Sequence, residues 1–166
     1  RLVGSEMCIR DSIYPDAVKI GMVASKELIE TIADALITYK AKNIVLDPVM
    51  VSTSGSRLIK EDAAEVLKER LMVLADVITP NIPETEVLTG MTVDSADSME
   101  KAAIKIYEHL KTKGGNAAVL VKGGHAVHTA NDCLCVDGSI VWLNGERIDN
   151  PNTCLLYTSP SPRDAH

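Results

Sequence analysis

No apolar run in the 166 residues approaches the ~20 positions that a membrane-spanning helix requires, so the sequence offers no such span. Positive charge is in short supply: 17 Lys and Arg stand against 23 Asp and Glu, for a formal net charge of -6. A field of that sign repels phosphate backbones and argues against nucleic acid as a partner. It does not argue against a nucleotide, whose phosphates are held by local charge, backbone amides and Mg²⁺. Cysteine is sparse. Cys8, Cys133, Cys135 and Cys154 match neither a zinc site nor a secreted disulfide framework, and a reducing, cytoplasmic setting is the expectation. No basic start followed by an apolar stretch reads as a signal peptide. The Gly-x-x-x-x-Gly-Lys-[Ser/Thr] phosphate loop is missing, and so is any internal repeat.

What is present is the make-up of a globular domain, 46% hydrophobic and 24% charged, long enough for one real core. The two ends depart from it. Residues 1–12 (RLVGSEMCIRDS) show no period of either kind. Residues 154–166 (CLLYTSPSPRDAH) carry Pro160 and Pro162, a spacing that continues neither a helix nor a central strand. Both resemble translated sequencing-adapter runs. The expectation is two non-native stretches flanking a partial domain over residues 13–153, the alternative being disordered native tails.

Within that domain, residues 17–22, 43–47, 75–79 and 117–121 are short apolar runs that read as buried strands. Between them lie helical patterns. Ser25 offers an N-cap to a stripe of Leu28, Ile29, Ile32, Ala33, Leu36 and Ile37. Residues 61–71 place Ala64, Leu67 and Leu71 on one face. Residues 83–88 start with proline, and residues 98–113 are closed by Gly114-Gly115. Asp137-Gly138 sits between two strand-like runs, 133–136 and 139–143, as a two-residue hairpin signal. The expected fold is α/β: a mostly parallel sheet flanked by helices, with an antiparallel edge hairpin. Ligands of such sheets sit beyond the carboxyl ends of the strands.

Four places qualify as sites. Gly21-Met22 follows the first strand, where the glycine admits a ligand and Met22 offers an apolar contact to a flat ring; a tight turn with a core methionine is the other reading. Asp47-Pro48-Val49-Met50 ends the second strand in an acid, fit to bind Mg²⁺ or to cap the Ser/Gly-rich loop 51–56. Asn81 and Glu84, three apart at a helix start, present an amide and a carboxylate to a hydrated Mg²⁺ and its phosphates. The same pair fits a capping box, and the two roles are compatible. Lys122-Gly123-Gly124-His125 follows the fourth strand and suits phosphate, or is a loop with a solvated lysine.

In their order and spacing, KIGM, DPVM with a following SGSRL, TPNIPE-x-EVLTG and VLVKGGH resemble the ribokinase-like superfamily, and within it the hydroxymethylpyrimidine/phosphomethylpyrimidine kinases of thiamine biosynthesis. The resemblance covers residues 13–153 almost continuously. It implies ATP-dependent phosphorylation of a hydroxymethylpyrimidine and then of its monophosphate. By motif it gives Asp47, Asn81 and Glu84 to Mg²⁺ and the ATP phosphates, with Asp47 and Glu84 on the metal. Lys122 and Gly123 go to the nucleotide phosphates, Met22 and Val49 to the pyrimidine ring. It also suggests a homodimer for the intact protein, which nothing in the composition shows.

The chain departs from the family at both ends. The family's first strands are missing before Ile13. After Asn152-Thr153 the family's Gly-Thr-Gly-Cys type loop, with its anion hole and catalytic base, is replaced by Cys154-Leu155-Leu156. The expectation is therefore an inactive kinase fragment with no catalytic residue of its own. A pyridoxal-type kinase and a non-catalytic ribokinase-like ligand-binding module are the alternatives.

Overall fold

Each aliphatic run becomes a strand, and each helical stripe a crossover laid against it. The computed structural model describes residues 15–51, 58–123 and 131–145. Both terminal stretches, most of the Ser/Gly-rich loop, and Gly124-His125 lie outside the described residues. The strands are β1 (Val18–Ile20), β2 (Ile44–Leu46), β3 (Val77–Ile78), β4 (Ala118–Val121), β5 (Asp132–Val136) and β6 (Ser139–Leu143). The α-helices are α1 (Lys26–Thr38), α2 (Glu61–Val66), α3 (Ile82–Thr89) and α4 (Ala96–Thr112).

The six strands form one sheet in chain order, β1 to β6; the first four are parallel and the last two antiparallel. Asp137 and Gly138 both take positive φ, 49° and 76°, as a type I′ hairpin turn demands. Right-handed crossovers that always step the same way put their helices on the same face. Leu46, Ile78, Val119 and Cys135, cross-strand neighbours in register, are fully buried on that face. On the opposite face Val136, Val141 and Leu143 remain 38%, 49% and 44% exposed.

Ser25 caps α1 by accepting from the Leu28 N–H, and the helix buries Ile29, Ala33 and Leu36. Leu28 and Ile37, at the margins of the expected stripe, are exposed. The helix expected over residues 61–71 is α-helical only as far as Val66. It then widens into a π-helical turn, Leu67–Leu71, and closes as a 3₁₀ turn, Met72–Leu74. The wider turn brings Leu67, Leu71 and Met72, at i, i+4 and i+5, into the core together. Helix α4 starts two residues before the expected position because Ser95 is its cap and Ser98 the partner that reaches back.

Candidate functional site

The carboxyl ends of the parallel strands place the site. Past each strand one more main-chain bond carries the register outward: Asp47 N–H to Ile20 O, Thr79 N–H to Leu46 O and Lys122 N–H to Pro80 O, at 2.8, 2.9 and 2.8 Å. Asn81 and Lys122 then pair as an isolated parallel bridge. Three neighbouring strands thus deliver Asp47, then Thr79 and Asn81, then Lys122 to one edge.

Asp47 is followed by Pro48, and the Val49 N–H closes back on the Asp47 carbonyl at 2.8 Å. Proline, with φ fixed near -65°, suits the centre of so tight a turn. The Asp47 carboxylate is partly buried. Its Oδ1 accepts from Lys122 Nζ at 2.8 Å and from Thr79 Oγ1 at 3.3 Å.

Asn81 caps α3. Its Oδ1 accepts from the Glu84 N–H, and Glu84 Oε2 accepts from the Asn81 N–H, both at 2.9 Å. The capping box expected of this pair is therefore formed, with Pro83 in the first turn. Glu84 is 2% exposed. Burial pushes its carboxyl above the usual glutamate range, and the negative charge of Asp47 adds to the rise. The Asn81 N–H, the Lys122 ammonium and the Met50 N–H oppose it. These influences place Asp47, Glu84 and Lys122 in one electrostatic neighbourhood.

Gly123 follows at the end of β4. Its N–H donates to Asp132 Oδ1 at 2.8 Å, tying the turn to the start of β5. A Cβ at this position would collide with the Asn131 carbonyl oxygen, so glycine is required by close backbone approach.

Of the residues singled out from sequence, Asp47, Asn81, Glu84, Lys122 and Gly123 come together. Met22 and Val49 take no part in the polar contacts of the cluster. Met22 lies just past β1 on the same edge, its side chain 55% exposed, and Val49 is half-buried. Gly21 has open space around it. Sequence reasoning gave no role to two participants: the hydroxyl of Thr79, which opens the TPNIPE stretch, and the Asp132 carboxylate. Thr79 carries a faint signal, a polar side chain at the end of a buried strand; Asp132 carries none, because its partner lies across a loop.

Among the described residues no three His, Cys, Asp or Glu side chains gather as a metal cluster. Mg²⁺ needs less, since it is held by one or two carboxylates together with phosphates and its own waters. Asp47 and Glu84 match that donor set, and the lysine with its glycine neighbour matches phosphate. A crevice of about 180 Å³ among Glu69, Met72, Lys105 and His109 in the helix layer shares no residue with this cluster.

A family model described as phosphomethylpyrimidine kinase matches residues 5–154. The hydroxymethylpyrimidine/phosphomethylpyrimidine kinase of Staphylococcus aureus strain MSSA476 is 36% identical over 149 residues, 86% of this chain and 52% of that one. Among solved structures, phosphomethylpyrimidine kinase from Clostridium difficile 630 superposes with a TM-score of 0.71 at 40% identity, over 84% of this chain and 58% of that chain. An ADP complex of Bacillus subtilis pyridoxal kinase gives 0.76 at 34% identity, over 90% and 56%. The chain spans about half the length of the curated relatives it matches.

Proposed function

The chain belongs to the phosphomethylpyrimidine kinase family, with a ribokinase-like fold, and from that premise we propose that its cluster is the metal-and-phosphate half of a kinase site. The intact protein, in this reading, transfers the γ-phosphoryl group of ATP to a hydroxymethylpyrimidine and then to its monophosphate. The observation that carries it is the Lys122–Asp47 pair at the ends of β4 and β2, on either side of β3, beside the buried Glu84.

Mg²⁺ would neutralise charge on the phosphates and fix their geometry. Asp47 and Glu84 would hold it; Glu84, buried and engaged in its capping box, acts through water. Asn81 orients Glu84. Lys122 supplies a point charge to the phosphates, and Gly123 lets them approach the backbone. Met22 and Val49 flank the pyrimidine ring at the same edge. Transfer by such a site is positioning and charge neutralisation, with little covalent work for the protein.

The base and the anion hole are not assigned to any described residue. We assign turnover to a polypeptide of the relatives' full length, of which this chain spans about half. The cytoplasm suits the reading, since Cys133 and Cys135 are free thiols. A homodimer belongs to the same proposal. The Bacillus subtilis pyridoxal kinase neighbour favours a second reading, with pyridoxal as the acceptor.

The test is calorimetric titration of the 166-residue chain with Mg²⁺·ADP, beside a phosphoryl-transfer assay on the full-length polypeptide offered hydroxymethylpyrimidine or pyridoxal. Binding that disappears in Asp47→Ala and Lys122→Ala, with transfer to hydroxymethylpyrimidine, is the expected result. Preferential transfer to pyridoxal selects the second reading, and binding indifferent to both substitutions removes the site.

A further inference from the structure

The Thr79 hydroxyl belongs to none of the motif roles above, yet it reaches the centre of the cluster. The main chain at Thr79 is fixed by its N–H bond to Leu46 O, which sets the residue beside the one preceding Asp47. From there Oγ1 donates to Asp47 Oδ1 at 3.3 Å. Lys122 Nζ donates to the same oxygen at 2.8 Å. Among the described residues both donors are recorded on Oδ1 and none on Oδ2. A carboxylate oxygen offers two lone pairs, so these two donors fill Oδ1, and Oδ2 accepts from no described residue.

The two donors differ in stiffness. Lysine carries its charge on a flexible four-carbon stem. Threonine is β-branched, restricted at χ1, and here sits directly at a strand end. When Lys122 turns to a phosphate, Thr79 is the donor that stays on Asp47.

We propose that Thr79 is a positioning residue: its hydroxyl fixes the Asp47 carboxylate through Oδ1 and keeps Oδ2 available to a hydrated divalent cation. The inference rests on the reading of Asp47 given above. It names a residue of this chain whose loss weakens metal-nucleotide binding without touching either ligand.

The experiment measures Mn²⁺ affinity in the presence of ADP by electron paramagnetic resonance, on the 166-residue chain. The variants are Thr79→Val, which keeps the shape and removes the hydroxyl, Thr79→Ser, which keeps the hydroxyl, and Asp47→Asn. Thr79→Val should bind Mn²⁺ roughly five- to tenfold more weakly, the range expected for one lost hydrogen bond of ordinary net strength, the 3.3 Å contact being a long one. Thr79→Ser should recover most of that loss. A merely structural threonine would lower the urea midpoint and leave the affinity of the folded chain unchanged. Parent-like affinity in Thr79→Val with a loss in Asp47→Asn overturns the role of Thr79 and leaves the site standing. Parent-like affinity in Asp47→Asn removes the site itself, and the inference with it. A ligand-free double-mutant cycle of Thr79→Val and Asp47→Asn on urea unfolding reads the contact directly and decides the matter if the parent chain takes up no Mn²⁺·ADP. Strictly additive costs there overturn the proposal.

Discussion

Lys122 and Asp47 are 75 positions apart in the chain, and their charged groups stand 2.8 Å apart. The sheet closes that gap by setting β2 and β4 on either side of β3. The pair is partly exposed, at 37% and 23% of the side-chain surface, so solvent screens much of its attraction. Its value lies in placing a cation and an anion on one edge.

Lys122→Met keeps the aliphatic stem and removes the charge. The expected cost in urea unfolding is about 1 kcal/mol, the upper part of the range for partly exposed ion pairs. Combining it with Asp47→Asn should cost less than the sum of the two singles. Simple additivity would show that the pair contributes nothing to stability.

Glu84 gives a pH dependence of definite sign. Burial raises its carboxyl above the value it has in the unfolded chain, so the folded state binds the extra proton. Its contribution to stability is then fully present below the unfolded value and is lost as pH rises through the folded one. Glu84→Gln keeps the reach to the Asn81 N–H and removes the titration. As pH rises above about 4, the urea midpoint of the parent should fall relative to that of the variant. A parent that gains on the variant over that rise contradicts the direction of the shift.

Two glycines near the site should respond differently to alanine. At Gly123 the new methyl group would strike the Asn131 carbonyl, and the main chain must move. About 1–3 kcal/mol of stability should be lost, together with the Gly123–Asp132 bond and phosphate affinity. At Gly21 the methyl group meets nothing, and the midpoint should change by less than about 0.5 kcal/mol. Equal effects at the two positions would contradict the close approach seen at Gly123.

The hairpin thiols should be inert. Burial pushes Cys133 up to about 11 and raises Cys135 as well, with Glu100 and the neighbouring thiol adding to the shift at Cys133. Few thiolates exist at about pH 8, and both thiols are buried. Iodoacetamide followed by peptide mass mapping should leave both unmodified in the native chain and label both in urea. Rapid native labelling of Cys133 would show that the hairpin opens readily.

Periodicity made the four parallel strands, the helices and the hairpin legible, because each is coded by neighbours in the chain. It did not show where α2 gives way to a π-helical turn. That turn answers to the packing of Leu67, Leu71 and Met72 against the core rather than to a local rule. It also misplaced the start of α4, where serine takes the capping-box position usually filled by Glu or Gln. At the site, Asp47, Asn81, Glu84, Lys122 and Gly123 were legible as residues of suitable chemistry directly after strands. Thr79 as a donor to Asp47, 32 positions away, was not, since no spacing encodes a contact across a sheet. The ring contacts assigned to Met22 and Val49 rest on family resemblance, and the cluster's polar contacts involve neither.

Strands that lie side by side in chain order also emerge in that order during synthesis. Each strand from β2 onward finds its partner already made, so no pairing has to wait for a later strand, although each parallel step still closes a crossover of some tens of residues. Asp47 and Thr79 can therefore meet while β4 is still unmade. At ~5–20 residues per second, Lys122 follows a few seconds later. On the growing chain the acidic side of the cluster is assembled first, and its ammonium group is the last piece to arrive.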